Sequence, residues 1–241
     1  MSQRRFRYLD SLIQAFVVIL LISNLIAPKI TAIGPFRVSG AHLMFPLTYI
    51  FGDIFTEVYG YAASRRAIWS GFLSSALLAV MGMIAVALPP APEYRGQEAF
   101  ATVFNFVPRL VVASLLAYWC GEFANAFVMA KLKVFTQGRM LWVRTIGSTA
   151  VGQLVDSIVV MFIAFAGTFD TVTIIRMIFS GYVVKVVYEA AMTPVTYLVV
   201  NGLKKAEGID TYDADTDFNP FSSREEKPRD GSFGALPEAE S

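Results

Sequence analysis

Six long apolar stretches dominate this chain, at residues 10–31, 41–61, 67–88, 103–130, 144–167 and 174–203. Each is long enough to cross a hydrocarbon core of about 30 Å as a helix with some tilt. Backbone groups in lipid need partners within their own segment, which makes helices the natural form. The short alternating segments of a membrane barrel are absent. The expected fold is therefore an all-α polytopic membrane protein. Residues 1–205 form a domain of six transmembrane helices, and residues 206–241 a separate acidic tail. Composition agrees: 55% of the 241 residues are hydrophobic and 16% are charged, against about 25% charged in soluble domains.

Charge is partitioned along the sequence. Residues 1–205 hold 17 basic and 9 acidic side chains, while residues 206–241 hold 3 basic and 10 acidic. Of the basic residues in the connections, eleven fall on one side of a six-span topology: Arg4, Arg5, Arg7, Arg65, Arg66, Lys131, Lys133, Arg139, Arg144, Lys204 and Lys205. Four fall on the other: Lys29, Arg37, Arg95 and Arg176. The positive-inside rule makes the richer side, with both termini, cytoplasmic. The basic start and apolar run of the first segment look like a secretory signal, but no small-residue cleavage site follows. Pro89-Pro90-Ala91-Pro92 is a stiff turn that ends the third segment. The tail, rich in Asp, Glu, Gly, Pro and Ser, reads as solvated and disordered. Its Asp210, Asp213, Asp215 and Asp217 lack the Gly and final Glu of a calcium loop.

Ionisable groups within a membrane are costly and call for an interior partner or water. Asp53 and Glu57 are four apart and share one helix face. Glu122 and Asn125 are three apart, as are Gln153 and Asp156, and Lys185 and Glu189 are four apart. Arg109 and Asn24 lie toward the outer ends of their segments. The interior thus holds five acids (Asp53, Glu57, Glu122, Asp156, Glu189) against two bases (Arg109, Lys185). A surplus carboxylate must be protonated, hydrated, hydrogen-bonded by several donors, or met by a ligand. Structural pairing of Lys185 with Glu189, and of Arg109 with one acid, is the plainer reading of those bases. Pro194 kinks the sixth segment beside the polar cluster. Gly71, Ser75 and Ala79, and likewise Ser148 and Gly152, form small-residue stripes suited to close helix packing. Tyr49, Phe104, Phe106, Tyr118, Trp119 and Tyr188 offer rings for a planar ligand or for packing.

The motifs of nucleotide and metal enzymes are missing: no P-loop, no dinucleotide fingerprint and no HExxH. One Cys (Cys120) and one His (His42) cannot build a Cys/His zinc site, and Cys120 has no disulfide partner. The chain is expected not to be an enzyme, to need no metal or cofactor, and to bind no nucleic acid.

The stretch Phe45-Pro46-Leu47-Thr48-Tyr49-Ile50-Phe51-Gly52-Asp53-Ile54-Phe55-Thr56-Glu57-Val58-Tyr59-Gly60-Tyr61 closely resembles the hallmark of the YhhQ-type queuosine precursor transporters, of the vitamin uptake transporter family. Arg65-Arg66-Ala67-Ile68-Trp69-Ser70-Gly71-Phe72, Ser23-Asn24-Leu25-Ile26-Ala27-Pro28-Lys29, residues 148–157 and Lys185-Val186-Val187-Tyr188-Glu189 fit as well. The resemblance covers nearly all of residues 10–205. It implies import of 7-cyano-7-deazaguanine, or the 7-aminomethyl compound, across the inner membrane for queuosine modification of tRNA. It also implies a fold similar to the six-helix substrate-binding subunits of energy-coupling-factor vitamin importers. Those subunits carry an Ala-xxx-Ala stripe on their first helix, and Ala15-Phe16-Val17-Val18-Ile19 lacks it. This departure favours a stand-alone carrier with no obligate protein partner. The alternative is a carrier or binding subunit for another vitamin that needs an energy-coupling partner.

The two readings meet in one chemistry. A deazaguanine presents N1–H and an exocyclic amine, which a carboxylate accepts bidentately. Its carbonyl calls for a donor, and its flat ring for aromatic walls. The expected substrate-binding set is Asp53, Glu57, Asp156, Glu189, Lys185, Gln153, Asn125, Arg109, Asn24, Trp119 and Tyr49. Membrane lipid surrounds the body, and the surplus acids suggest a proton as the coupling ion. Asp53→Asn is expected to lose a large part of transport while the protein stays folded in the membrane. Wild-type uptake by that variant removes Asp53 from the site.

Overall fold

The computed structural model describes residues 6–33, 36–39, 44–104, 108–165, 167, 170–213 and 216–222. Helix α1 (Leu9–Ile26) leads into a short antiparallel hairpin, β1 (Ile30–Ile33) and β2 (Phe36–Ser39), with Ile30 opposite Ser39. Helix α2 (Phe45–Ile54) runs directly into a π-helical turn, Phe55–Tyr59. Then come α3 (Tyr61–Ala87), α4 (Gln97–Phe104), α5 (Pro108–Phe135), α6 (Leu141–Phe165) and α7 (Thr171–Glu207). Among the described residues these helices form a multi-pass bundle in which α5 packs on α6 and α6 on α7.

Sequence chemistry sets several boundaries. Pro46 opens α2 in the first turn, where its missing N–H costs nothing. Leu88 turns extended (ψ 139°) before Pro89 and ends α3. Gly60, at φ 85°, breaks the chain direction between the π turn and α3. Pro194 lies inside α7, where it cannot bond the carbonyl of Ala190.

The expectation of six transmembrane helices is corrected. Among the described residues, four helical spans are long and apolar enough to cross a membrane: Leu9–Ile26, Tyr61–Ala87, Val111–Phe135 and Leu141–Ile163. The second apolar segment fails because its α-helix has only 10 residues before the π turn takes over. The sixth, 37 residues long and carrying Arg176, Lys185, Glu189 and Pro194, is not among the four. Outward-facing Leu73, Leu77, Val80, Met81 and Ile84 on α3 remain exposed, as suits a lipid-facing surface.

Small residues let the helices approach closely. Gly71, Ser75 and Ala79 are buried on α3. A Cβ on Gly71 would come within 2.5 Å of the Tyr118 hydroxyl and 3.0 Å of Leu20. Where α5 crosses α6, a Cβ on Gly121 would stand 3.0 Å from the Gly152 carbonyl oxygen, and one on Gly152 would stand 2.9 Å from that of Gly121. The start of α1 and the end of α7 share one pole: the Glu207 carboxylate accepts the Tyr8 N–H (2.8 Å), the Arg7 N–H (3.1 Å) and the Tyr59 hydroxyl (3.0 Å).

The first part of the tail differs from its expected solvated state. Residues 208–213 and 216–222 lie against the helices, with Thr211 and Asp213 buried. Asp213 caps α3, both its oxygens accepting the Tyr61 N–H at 3.1 Å. Residues 223–241 lie outside those described.

The α5–α6 crossing yields a direct test. Gly152→Ala forces a methyl group against backbone and should cost about 1–3 kcal/mol of stability. Gly202→Ala, on α7 with nothing within 4 Å of the added methyl, should be neutral or stabilising by up to about 1 kcal/mol. Thermal unfolding in detergent distinguishes the two; equal behaviour contradicts the tight crossing.

Candidate functional site

The sequence pairs Asp53 with Glu57 on one face, but the structure gives them different surroundings. Asp53 ends the regular part of α2 and is 1% exposed. Glu57 lies in the π turn, fully buried, inside a cluster of cations. Arg144 of α6 grips it bidentately, with Nη2 to Oε1 at 2.6 Å and Nε to Oε2 at 3.1 Å. Lys204 of α7 donates to Oε1 at 2.6 Å, and Lys133 of α5 approaches Oε1 to 3.7 Å. Lys133 also donates to the Glu57 carbonyl (2.5 Å), to Asp210 (2.5 Å) and to the Thr211 carbonyl (2.6 Å). Arg144 further donates to Thr136 Oγ1 (3.1 Å) and to the Arg139 carbonyl. Burial alone would raise the Asp210 carboxyl; Lys133 and Lys204 overcome this and hold it below its ordinary range. Burial alone would lower the Lys204 ammonium; Glu57 and Asp210 more than offset it. Glu57 is therefore occupied by its own protein at one pole of the bundle.

A second polar group forms where α2, α5 and α6 meet. A Cβ on Gly52, next to Asp53, would stand 3.3 Å from Glu122 Oε2 and 3.7 Å from Asn125 Nδ2. On α6, Gly152 faces the Asn125 Cβ and Asp156 faces Gly121. Antiparallel glycine contact thus sets Glu122 and Asn125 on α5 beside Asp156 on α6, with Asp53 adjoining from α2. Gln153 follows Gly152 directly. Asn125 Oδ1 in this group, and likewise Gln153 Oε1 on α6 and Trp119 Nε1 on α5, are buried polar atoms with no hydrogen-bond partner among the described residues. Each such atom costs about 1–3 kcal/mol unless something meets it. Amides and an indole N–H beside carboxylates can donate to a carbonyl and accept from N–H groups.

Asn24 lies apart from this group: its amide donates to Ser75 Oγ at 3.2 Å and ties α1 to α3. Trp119 packs edge-on against Trp69 and Phe123, with centroids 6.0 and 5.1 Å away. The side chains of Tyr49, Arg109, Lys185 and Glu189 fall outside those described, as do His42 and Phe106. Sequence reading missed the roles of Arg144, Lys133 and Lys204, which it assigned to connections as topology signals. The available signal was their number: four basic residues flank the α5–α6 turn, and an adjacent buried acid is their natural counterion.

Residues 39–199 match the family described as putative vitamin uptake transporter. The chain is 30% identical over 157 residues to the "Probable queuosine precursor transporter" of Bacillus subtilis, covering 65% of this chain and 69% of that protein. It is 26% identical over 143 residues to the "Queuosine precursor transporter" of Escherichia coli, covering 59% of this chain and 62% of that one. The "Probable queuosine precursor transporter" of Haemophilus influenzae is 26% identical over 147 residues, 59% of this chain and 60% of its own length. The chain thus spans between three-fifths and seven-tenths of these relatives. No solved structure matches, so the expected likeness to energy-coupling-factor subunits has no structural basis.

The Glu57 cluster sets the stability of its pole. Glu57→Gln should cost about 3–5 kcal/mol, because it strands buried cations. Glu57→Gln with Arg144→Met should cost less than the two single changes added together. Denaturation of the purified protein in detergent measures both; simple additivity contradicts the direct pairing.

Proposed function

The chain belongs to the vitamin uptake transporter family, whose members are transporters and not enzymes, and on that premise we propose that it carries a queuosine precursor, 7-cyano-7-deazaguanine, across the inner membrane. The observation that supports this reading is the unpartnered buried Asn125 Oδ1 in a region that also holds Glu122 and Asp156, with Asp53 next to Gly52. A guanine-like edge matches that chemistry. A carboxylate accepts its N1–H and exocyclic amine, and an amide N–H meets its carbonyl; Trp119 stays in the proposed set as an aromatic group, its ring lined in this structure by Trp69, Phe123 and Phe221. Lys185, Glu189, Arg109 and Tyr49 remain proposed members of the set. Glu57 is better suited to holding the pole together, since Arg144 and Lys204 already take its oxygens.

No bond is made or broken in this reaction. One site within the bundle opens alternately to the two sides, and a carboxylate of the proposed set takes up a coupling proton. The pole bearing Arg65, Arg66, Lys131, Lys133, Arg144, Lys204 and Lys205 is assigned to the cytoplasmic side, a reading that its many basic residues support. The described ends of the bundle, Tyr8 and Glu207, meet at that same pole.

Liposomes containing this protein alone should accumulate labelled 7-cyano-7-deazaguanine, and an uncoupler should abolish accumulation. Asn125→Leu and Gln153→Leu should each weaken uptake about tenfold or more, the effect of losing one hydrogen bond to a buried polar edge. Uptake of thiamin or riboflavin instead overturns the substrate. Uptake only with an added ATPase overturns the stand-alone mechanism, and insensitivity to the uncoupler overturns the proton.

A further inference from the structure

The residues that follow α7 bind the basic pole at many points. Asp210 bridges Lys133 and Lys204 at 2.5 and 2.8 Å. The Thr211 carbonyl takes a third bond of the kind from Lys133, and Asp213 caps the first turn of α3. Further along, Tyr61 donates through its hydroxyl to the Phe218 carbonyl (3.0 Å). Arg65 donates to the Asp217 and Asn219 carbonyls (3.1 Å each), and Trp69 to that of Pro220 (2.8 Å). The Phe218 ring rests between Tyr61 and Phe127, 4.9 and 5.1 Å away, with the Lys131 ammonium 4.2 Å above it. Phe221 lies 5.6 Å from Trp119 and 5.8 Å from Trp69.

These contacts join the start of α3 to the end of α5 and to the Glu57 cluster. The residues that make them lie beyond the matched family region, which ends at residue 199. They are held by side-chain pairs, a helix cap and carbonyls, so they can leave without breaking any helix. Their departure also changes the charge balance of the pole. Glu57 faces Arg144, Lys133 and Lys204, and Asp210 is the second acid of that group. Without Asp210, three neighbouring cations share one carboxylate, and their repulsion favours separation of α5, α6 and α7 and entry of water.

We propose that residues 208–213 and 216–222 are a releasable latch that closes the basic pole of the carrier, with Asp210 as the counter-charge whose withdrawal opens it. This rests on the alternating-exposure reading: opening at that pole moves α3, α5 and α7 apart, and these residues tie α3 to α5 and Lys133 to Lys204. Phe218 and Asp210 act as positioning residues and touch no substrate.

The test uses the full chain with Cys120→Ser and a reporter, Ser64→Cys, at a buried position on the first turn of α3 (2% exposed). Maleimide labelling of the reporter and exchange of labelled 7-cyano-7-deazaguanine are measured in the same liposomes. The latch is weakened by Asp210→Asn with Phe218→Ala and, more mildly, by Phe221→Ala. Loss of a charge-assisted hydrogen bond with its ring contact should speed both labelling and exchange about five- to tenfold, and Phe221→Ala should move both in the same direction by less. Faster labelling with unchanged or slower exchange makes the contact purely structural and overturns the latch. So does unchanged labelling, and in both cases exchange by the native chain leaves the carrier reading standing. No exchange by the native or the weakened chain overturns the carrier reading and the latch with it.

Discussion

The carboxylate of Glu57 is the contact on which the basic pole depends. It sits in a π-helical turn with no exposure, and α5, α6 and α7 each send it a cation. A buried carboxylate of this kind is tolerated only when its lone pairs are filled with good geometry. The Arg144 fork and the Lys204 ammonium fill them. The π turn makes this possible by swinging residue 57 away from the direction that an unbroken α2 would give it. The same turn ends α2 early, so the second apolar segment is a short broken helix and not a full crossing.

Breaking α2 there separates two acids that sequence spacing places together. Asp53 stays with the regular helix, near Gly52 and the α5–α6 crossing, while Glu57 goes to the pole. The crossing itself rests on Gly121 and Gly152, whose lack of side chains brings Asn125 and Asp156 into one small region. Helix packing and site assembly are thus the same event. The glycines that allow the close approach also decide which polar groups meet.

Much was legible from the chain alone, for definable reasons. The small-residue stripe Gly71, Ser75, Ala79 is a local pattern with one use, and it is buried as read. The stop at Pro89 is fixed by proline stereochemistry. Other features were not legible because they arise between distant residues. Asn24 looked like a site residue but bonds Ser75, 51 positions away. Lys133, Arg144 and Lys204 looked like rim charges, since nothing local to them reveals a buried acid from another helix. The tail looked solvated because its composition is polar. Asp210 and Asp213 meet partners far away in sequence, at positions 133, 204 and 61.

Hydrophobic run length and helical period act within one segment. The sequence by itself therefore determined a helical membrane body, its small-residue packing faces and its kinship to a transporter family. Whether a carboxylate meets a cation, a helix N-terminus or an open amide depends on which segments lie side by side. That is decided by close approach at glycines and by the π turn, so only the tertiary structure could send Glu57 to the pole, set Asp53 and Asp156 about the α5–α6 crossing, and fold Asp210 back onto Lys133.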